Sequence, residues 1–181
     1  HIIIPAETGE LASGLIGQGR MAEPETISKI IEDFFTSNSI SRSFEGKTVL
    51  ITAGPTYESI DPVRFIGNHS SGKMGFSLAE EVAKRGGKVI LISGPSALQI
   101  DHPNIEIHRI TSAKEMFSEV FKYYEISDIA IASAAVADYA PKEIASEKIK
   151  KNDDSLTIEL VKNPDILKTM GERKSRQFLV G

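Results

Sequence analysis

Apolar positions along the chain change their spacing several times, and each change predicts an element. From Pro24, "PETISKIIEDFF" sets Ile27, Ile30, Ile31, Phe34 and Phe35 at helical spacing behind an acidic first turn, which predicts a helix. The following "TSNSISRSFEGK" is polar and turn-rich and reads as a linker, with a domain boundary near Phe44. Beyond it, "KTVLITAG", "KVILISGP", "NIEIHRI" and "DIAIASAAVADY" are short apolar runs of the size of buried strands. Two stretches between them return to the helical period. "SGKMGFSLAEEVAKRGG" puts Met74, Leu78, Val82 and Ala83 on one face and stops at Gly86. "SAKEMFSEVFKYYE" turns Met116, Phe117, Val120, Phe121 and Tyr124 inward. Strands alternating with helices predict an α/β fold: a Rossmann-like, doubly wound, mostly parallel sheet with helices on both faces, and ligands at the carboxyl ends of its strands.

Composition narrows the function classes. The 181 residues suffice for one ordinary domain plus an appendage, and 40% apolar with 25% charged residues is ordinary for a soluble globular protein. A formal net charge of −4 supplies no global positive field, so neither nucleic acid nor membrane is an expected partner. The absence of cysteine excludes disulfides, thiolate nucleophiles and cysteine-based zinc sites in this chain. The longest apolar runs are strand-sized, and "HIIIPAETG" lacks the basic leader and apolar core of a signal peptide, so a cytoplasmic protein is expected. The bare opening strand "HIII" and the closing "QFLVG" read as cut ends, so a fragment of a longer protein is expected too.

The chemistry concentrates in "RFIGNHSSGKMG". Gly67 to Lys73 spells G-x-x-x-x-G-K, but Met74 stands where a phosphate-binding loop needs a hydroxyl for Mg²⁺, and the preceding strand ends well before Gly67. A helix-entry anion site fits better: Asn68, Ser70 and Ser71 are placed to cap a helix beginning near Gly72, whose unpaired N–H groups attract phosphate or carboxylate. Gly72 and Gly75 would let backbone approach a ligand. The alternative is a simple serine cap beside a solvated Lys73. The long loop "TAGPTYESIDPVRFIGN", carrying Thr56, Asp61, Arg64 and Asn68 at the carboxyl edge, favours function.

Together, "ITAGPTYESIDPVRFIGNHSSGKMG", "SAAVADYAPKEIASEKIKK" and "LVKNPDIL" resemble the successive signatures of phosphopantothenoylcysteine synthetase, the ligase half of the bifunctional bacterial coenzyme A biosynthesis protein. The likeness covers about Lys47 to Gly181. "GELASGLIGQGRMAEPETI" resembles the tail of the partner half, a flavin-dependent phosphopantothenoylcysteine decarboxylase. The resemblance implies two domains, 1–43 as decarboxylase tail plus linker and 44–181 as a ligase domain truncated at its C-terminus. It implies CTP-dependent ligation of 4′-phosphopantothenate to cysteine through an acyl-cytidylate, with Mg²⁺ accompanying CTP. A homodimer of the ligase domain is implied as well, and FMN only for a full-length decarboxylase half.

Residue by residue, the resemblance assigns Asn68 to the acyl-cytidylate site, where its amide would hold the intermediate's carbonyl and phosphate, with Arg64 supporting the same region. Lys148 corresponds to a lysine on the nucleotide phosphates; locally it reads as one charge on a solvated edge. Ala134, Ala135 and Asp138 correspond to the nucleotide pocket, with Asp138 as a contact for CTP or Mg²⁺; locally they read as a buried alanine strand ending in a turn. Pro164, Asp165, Ile166 and Leu167 align with a CTP-contacting segment; locally they are a helix start, with Asn163 capping and Pro164 at the first helical position. Where the decarboxylase family places a proton-donating cysteine, this chain has Ser13, a far weaker acid than a thiol of pKa about 8.5. Gly17, Gly19, Arg20 and Met21 match that family's substrate clamp. Two rivals stay open. An NAD(P)-dependent oxidoreductase suits the element order, although G-x-G-x-x-G is missing after the first strand and Tyr139 and Lys142 are one residue too close for a Tyr-x-x-x-Lys pair. A non-catalytic nucleotide-binding fragment is the other. His69 and His102 have no partner at ligand spacing and read as ordinary polar residues.

Overall fold

The computed structural model describes residues 3–10, 14–38, 42–150 and 155–181. The chain forms two compact units, His1–Ser41 and Arg42–Gly181. In the first, β1 (Glu7–Glu10) and β2 (Ile16–Arg20) make an antiparallel hairpin, followed by helix α1 (Pro24–Asn38). The expected helix forms, but Ile31, Phe34 and Phe35 of its apolar stripe are exposed.

The second unit contains, in order, β3 (Thr48–Ala53), β4 (Tyr57–Ser59), β5 (Phe65–Gly67), α2 (Lys73–Lys84), β6 (Lys88–Ser93), β7 (Ile105–Arg109), α3 (Ala113–Tyr123), β8 (Ile129–Ala132), β9 (Tyr139–Pro141), β10 (Leu160–Lys162), α4 (Ile166–Arg173) and β11 (Phe178–Val180). Five strands form a parallel sheet in the order β11-β8-β3-β6-β7. The inner strands β3, β6 and β8 are apolar on both faces because each face is covered. Val49, Ile51, Val89 and Leu91 pack with Phe76, Ala79 and Val82 of α2, whereas Leu50, Ile90 and Ile92 pack with Met116 and Val120 of α3 and with Ile166 and Met170 of α4. The fold is the expected doubly wound α/β sheet with helices on both faces.

Three features depart from the sequence reading. Met74 is not inward but 69% exposed, and the buried face of α2 is Gly75, Phe76, Ala79, Val82 and Ala83. The cause is the close approach of Gly75 to the sheet: a Cβ there would lie 2.5 Å from that of Ala53 and 2.9 Å from Ser133 Oγ. Gly75 therefore serves helix–strand packing rather than ligand approach. Two antiparallel hairpins, β4–β5 and β9–β10, lie in stretches without legible periodicity, each strand being three residues long. Among the described residues, no helix is long and apolar enough to cross a membrane.

One carboxylate ties the amino ends of three strands. Asp128 accepts from the Thr48 amide at 2.9 Å and from Arg176 at 2.6 Å, while its own carbonyl accepts from Phe178 N at 2.8 Å. The Thr48 N–H, and next the Arg176 guanidinium, hold its pKa below the usual carboxylate value. A depressed folded pKa gives stability that is complete above the unfolded value near about 4 and is lost as pH falls through the folded value. Asp128→Asn is therefore expected to destabilise the protein at neutral pH, with the difference from wild type shrinking below about pH 4, as read by urea denaturation across pH. Gly75→Ala is expected to cost about 1–3 kcal/mol in the same assay through overpacking.

Candidate functional site

Strand order reverses around β3: the chain leaves it toward β6 on one side and returns through β8 on the other. Loops diverge at such a switch point and leave a crevice at the carboxyl ends of the strands. Here it is a cleft of 610 Å³, lined by Thr52, Ala132, Ala134, residues 136–139 after β8, and residues 162–167, from the end of β10 into the first turn of α4.

The loop after β8 is held along its length. Ser133 Oγ donates to Thr52 O at 2.6 Å, Ala134 N to Thr52 Oγ1 at 3.3 Å, and Ala135 N to Gly54 O at 2.8 Å. Buried Thr56 accepts from Ala137 N on its hydroxyl at 2.9 Å and donates its own amide to Ala135 O at 3.3 Å. Asn163 closes the loop from the other wall, donating Nδ2 to Ala137 O at 2.8 Å. Alanines suit this arrangement, because their backbone groups stay reachable and no side chain fills the cleft.

Asn68 donates Nδ2 to Ala135 O at 3.3 Å and to Val136 O at 3.1 Å. Two facing carbonyls fix the orientation of the amide and leave only Oδ1, an acceptor, for anything else. The expected cap by Asn68 and the serines does not form. Gly72 is the N-cap of α2, at φ 80°, with no side-chain cap. Ser70 Oγ accepts from Gly72 N at 3.2 Å, and Ser71 Oγ from Lys73 N at 3.4 Å. Lys73 N is thus taken by Ser71, and the next first-turn N–H groups of α2, those of Met74 and Gly75, keep no side-chain cap, which is the arrangement that attracts an anion.

Of the residues expected at the site, Ala134, Asp138, Pro164, Asp165, Ile166 and Leu167 line the cleft. Ala135 sits behind it, bridged to Pro55. Arg64 and Lys148 do not line it; Arg64 pairs with Asp61, and Lys148 is exposed. Ser13 lies outside the described residues. The expected cap of the last helix is corrected: Asp165 caps α4 by accepting from Lys168 N at 2.8 Å, Ile166 is the first helical residue, and the Asn163 side chain is drawn away to Ala137. Among the described residues, no group of three His, Asp or Glu is placed to hold a metal ion; the carboxylates lining the cleft are Asp138 and Asp165, and one oxygen of Asp165 is committed to the Lys168 amide. Sequence reasoning missed Thr52 and Asn163 as parts of the site. Thr52 carried one signal, a hydroxyl inside an otherwise apolar buried run.

The fold and cleft define a Rossmann-like protein with a ligand crevice at its switch point. Residues 44–181 match the family described as the DNA/pantothenate metabolism flavoprotein C-terminal domain, and the chain belongs to that family. It is 49% identical over 181 residues to the coenzyme A biosynthesis bifunctional protein CoaBC of Bacillus subtilis (strain 168), covering 100% of this chain and 44% of that protein. It is 47% identical to the protein of the same name from Haemophilus influenzae (strain ATCC 51907 / DSM 11121 / KW20 / Rd), covering 99% and 44%. The chain therefore spans less than half the length of these relatives. Among solved structures, the C-terminal domain of CoaBC is similar at 45% identity and a TM-score of 0.67, covering 77% of this chain and 65% of that one. The matching family is that of the C-terminal domain and begins at residue 44. The reading of the leading segment as a decarboxylase tail is accordingly corrected.

Thr56→Val keeps the shape of the side chain but leaves the buried Ala137 N–H unpaired. A loss of about 1–3 kcal/mol in stability is expected by chemical denaturation.

Proposed function

We propose that residues 44–181 form a ligase domain of coenzyme A biosynthesis, joining 4′-phosphopantothenate to cysteine at the expense of CTP, in the cytoplasm and as a homodimer. The observation that supports this reading most is the convergence of Ala134, Asp138 and Pro164–Leu167 on one cleft at the switch point, from two segments well separated in sequence. The relatives named for coenzyme A biosynthesis support the pathway.

In the first step a carboxylate oxygen of 4′-phosphopantothenate bonds to the α-phosphorus of CTP and the bond to pyrophosphate breaks. In the second, the cysteine amine bonds to the acyl carbon, CMP leaves, and the amine gives up a proton. Such chemistry asks the protein mainly to bind, orient and stabilise charge, consistent with a chain without cysteine. The alanine loop and the start of α4 would hold the nucleotide, and the uncapped first turn of α2 would take a phosphate. Asn68, whose amide hydrogens are committed to Ala135 and Val136, has Oδ1 to accept from the attacking amine. Lys148 would offset triphosphate charge. Mg²⁺ arriving with CTP needs few protein ligands beside its phosphates, and the Asp138 carboxylate would meet that demand.

Incubating the chain with 4′-phosphopantothenate, Mg²⁺ and either CTP or ATP, without cysteine, tests this. Mass spectrometry is expected to show an acyl-cytidylate with CTP and no adduct with ATP. On adding cysteine, Asn68→Asp is expected to retain the adduct that wild type consumes. An absence of any adduct together with no binding of CTP in a titration would reject the reading.

A further inference from the structure

The turn between β4 and β5 holds a carboxylate that the chemistry above does not use. Asp61 is only 2% exposed. Its Oδ1 accepts from the amides of Val63 and Arg64, both at 2.8 Å, which closes the turn on itself. Its Oδ2 accepts from Arg64 Nε at 3.0 Å and Nη2 at 2.5 Å, and from the amide of Ile149 at 3.1 Å, across 88 residues of sequence. Arg64 Nη2 in turn donates to Ile149 O at 3.0 Å. Carboxylate and guanidinium thus take the N–H and the C=O of one residue, in a segment with neither helix nor strand of its own. A further bond, from Ala145 N to Ile60 O at 3.0 Å, ties the same segment to the same turn. Ile149 lies between Lys148 and Lys150, both exposed.

A lysine on an irregular loop loses backbone and side-chain freedom when it binds a phosphate. Fixing its backbone beforehand removes part of that cost. We propose that Asp61, acting with Arg64 on the backbone of Ile149, is a positioning residue that presents Lys148 to the nucleotide phosphates. The assignment rests on the nucleotide reading of the cleft, and it gives Arg64 an indirect role: its guanidinium is committed to Asp61 and Ile149. The Arg64 guanidinium holds the Asp61 carboxyl well below the usual carboxylate range, against the opposing effect of burial, so the clamp stays charged at working pH.

Titration of the chain with Mg²⁺ and CTP tests this through a double-mutant cycle. Asp61→Asn and Lys148→Ala are each expected to weaken CTP binding about tenfold, the size of one charge-assisted contact. The double variant is expected to bind no more weakly than Lys148→Ala alone. Arg64→Lys, which alters a half-exposed partner and leaves the carboxylate in place, is expected to show a smaller loss with the same non-additivity. Hydrogen exchange at the Ile149 amide is expected to accelerate in Asp61→Asn without nucleotide. Independent, additive losses would overturn the positioning role, as would unchanged Ile149 exchange. If Lys148→Ala binds CTP as wild type does, the positioning role falls while the cleft reading stands. If the unaltered chain binds no CTP, the cleft reading falls and takes the positioning role with it.

Discussion

The structure depends on the parallel pairing of β3 with β8 on one edge and β6 on the other. β3 is bonded on both edges and covered on both faces; Val49, Leu50, Ile51 and Ala53 are fully buried. Parallel pairing also sends all five strands out of the sheet at one edge, and the order reversal separates their loops there. The register of β3 against β8 continues past the strand ends through Ser133 to Thr52 O and Ala135 N to Gly54 O. The alanine loop therefore inherits the rigidity of the core rather than behaving as a free connection.

The opposite wall of the cleft is anchored by the other core. Ile166 and Met170 of α4 pack with Met116, Val120 and Tyr124, and the Tyr124 hydroxyl donates to Met170 O at 2.6 Å. Gln177 Nε2 reaches Tyr124 O at 3.3 Å, so the helix and the strand after it are fastened to the same residue. Asp165, which caps α4, thus sits at the cleft on a helix whose position is set by apolar packing. Packing on both faces of one sheet places two loop segments opposite one another. That is how a fold selected for burial comes to hold a site.

Much of this was legible locally. The runs around Val49, Val89 and Ile129 are strands with apolar residues on both faces, that around Ile107 alternates apolar with polar residues, and Met116, Val120 and Tyr124 face inward at helical spacing as read. The direction of α2 failed at Met74, because periodicity alone does not say which of two adjacent stripes faces the sheet. The missing datum was the approach of Gly75 to Ala53. Asn163 looked like a helix cap because Asn before Pro often is one; the Ala137 carbonyl competed for its side chain and won. For Arg64, the sequence offered a cation in a functional loop and no sign of its partner at Ile149.

By itself, then, the sequence determined the strands of the parallel sheet and the helices, their order, and the chemical types concentrated at the carboxyl edge, but not the two short antiparallel pairs β4–β5 and β9–β10. Those properties depend on side chains within a few positions of one another, and burial on a strand or helix repeats with a short period. Only the tertiary structure decided which of those groups are already committed. The bonds of Asn68 to Ala135 and Val136 span 67 and 68 residues, that of Thr56 to Ala137 spans 81, and that of Asp61 to Ile149 spans 88. A hydrogen bond is satisfied by geometry at about 3 Å, and proximity at that scale between distant segments is a product of the whole sheet.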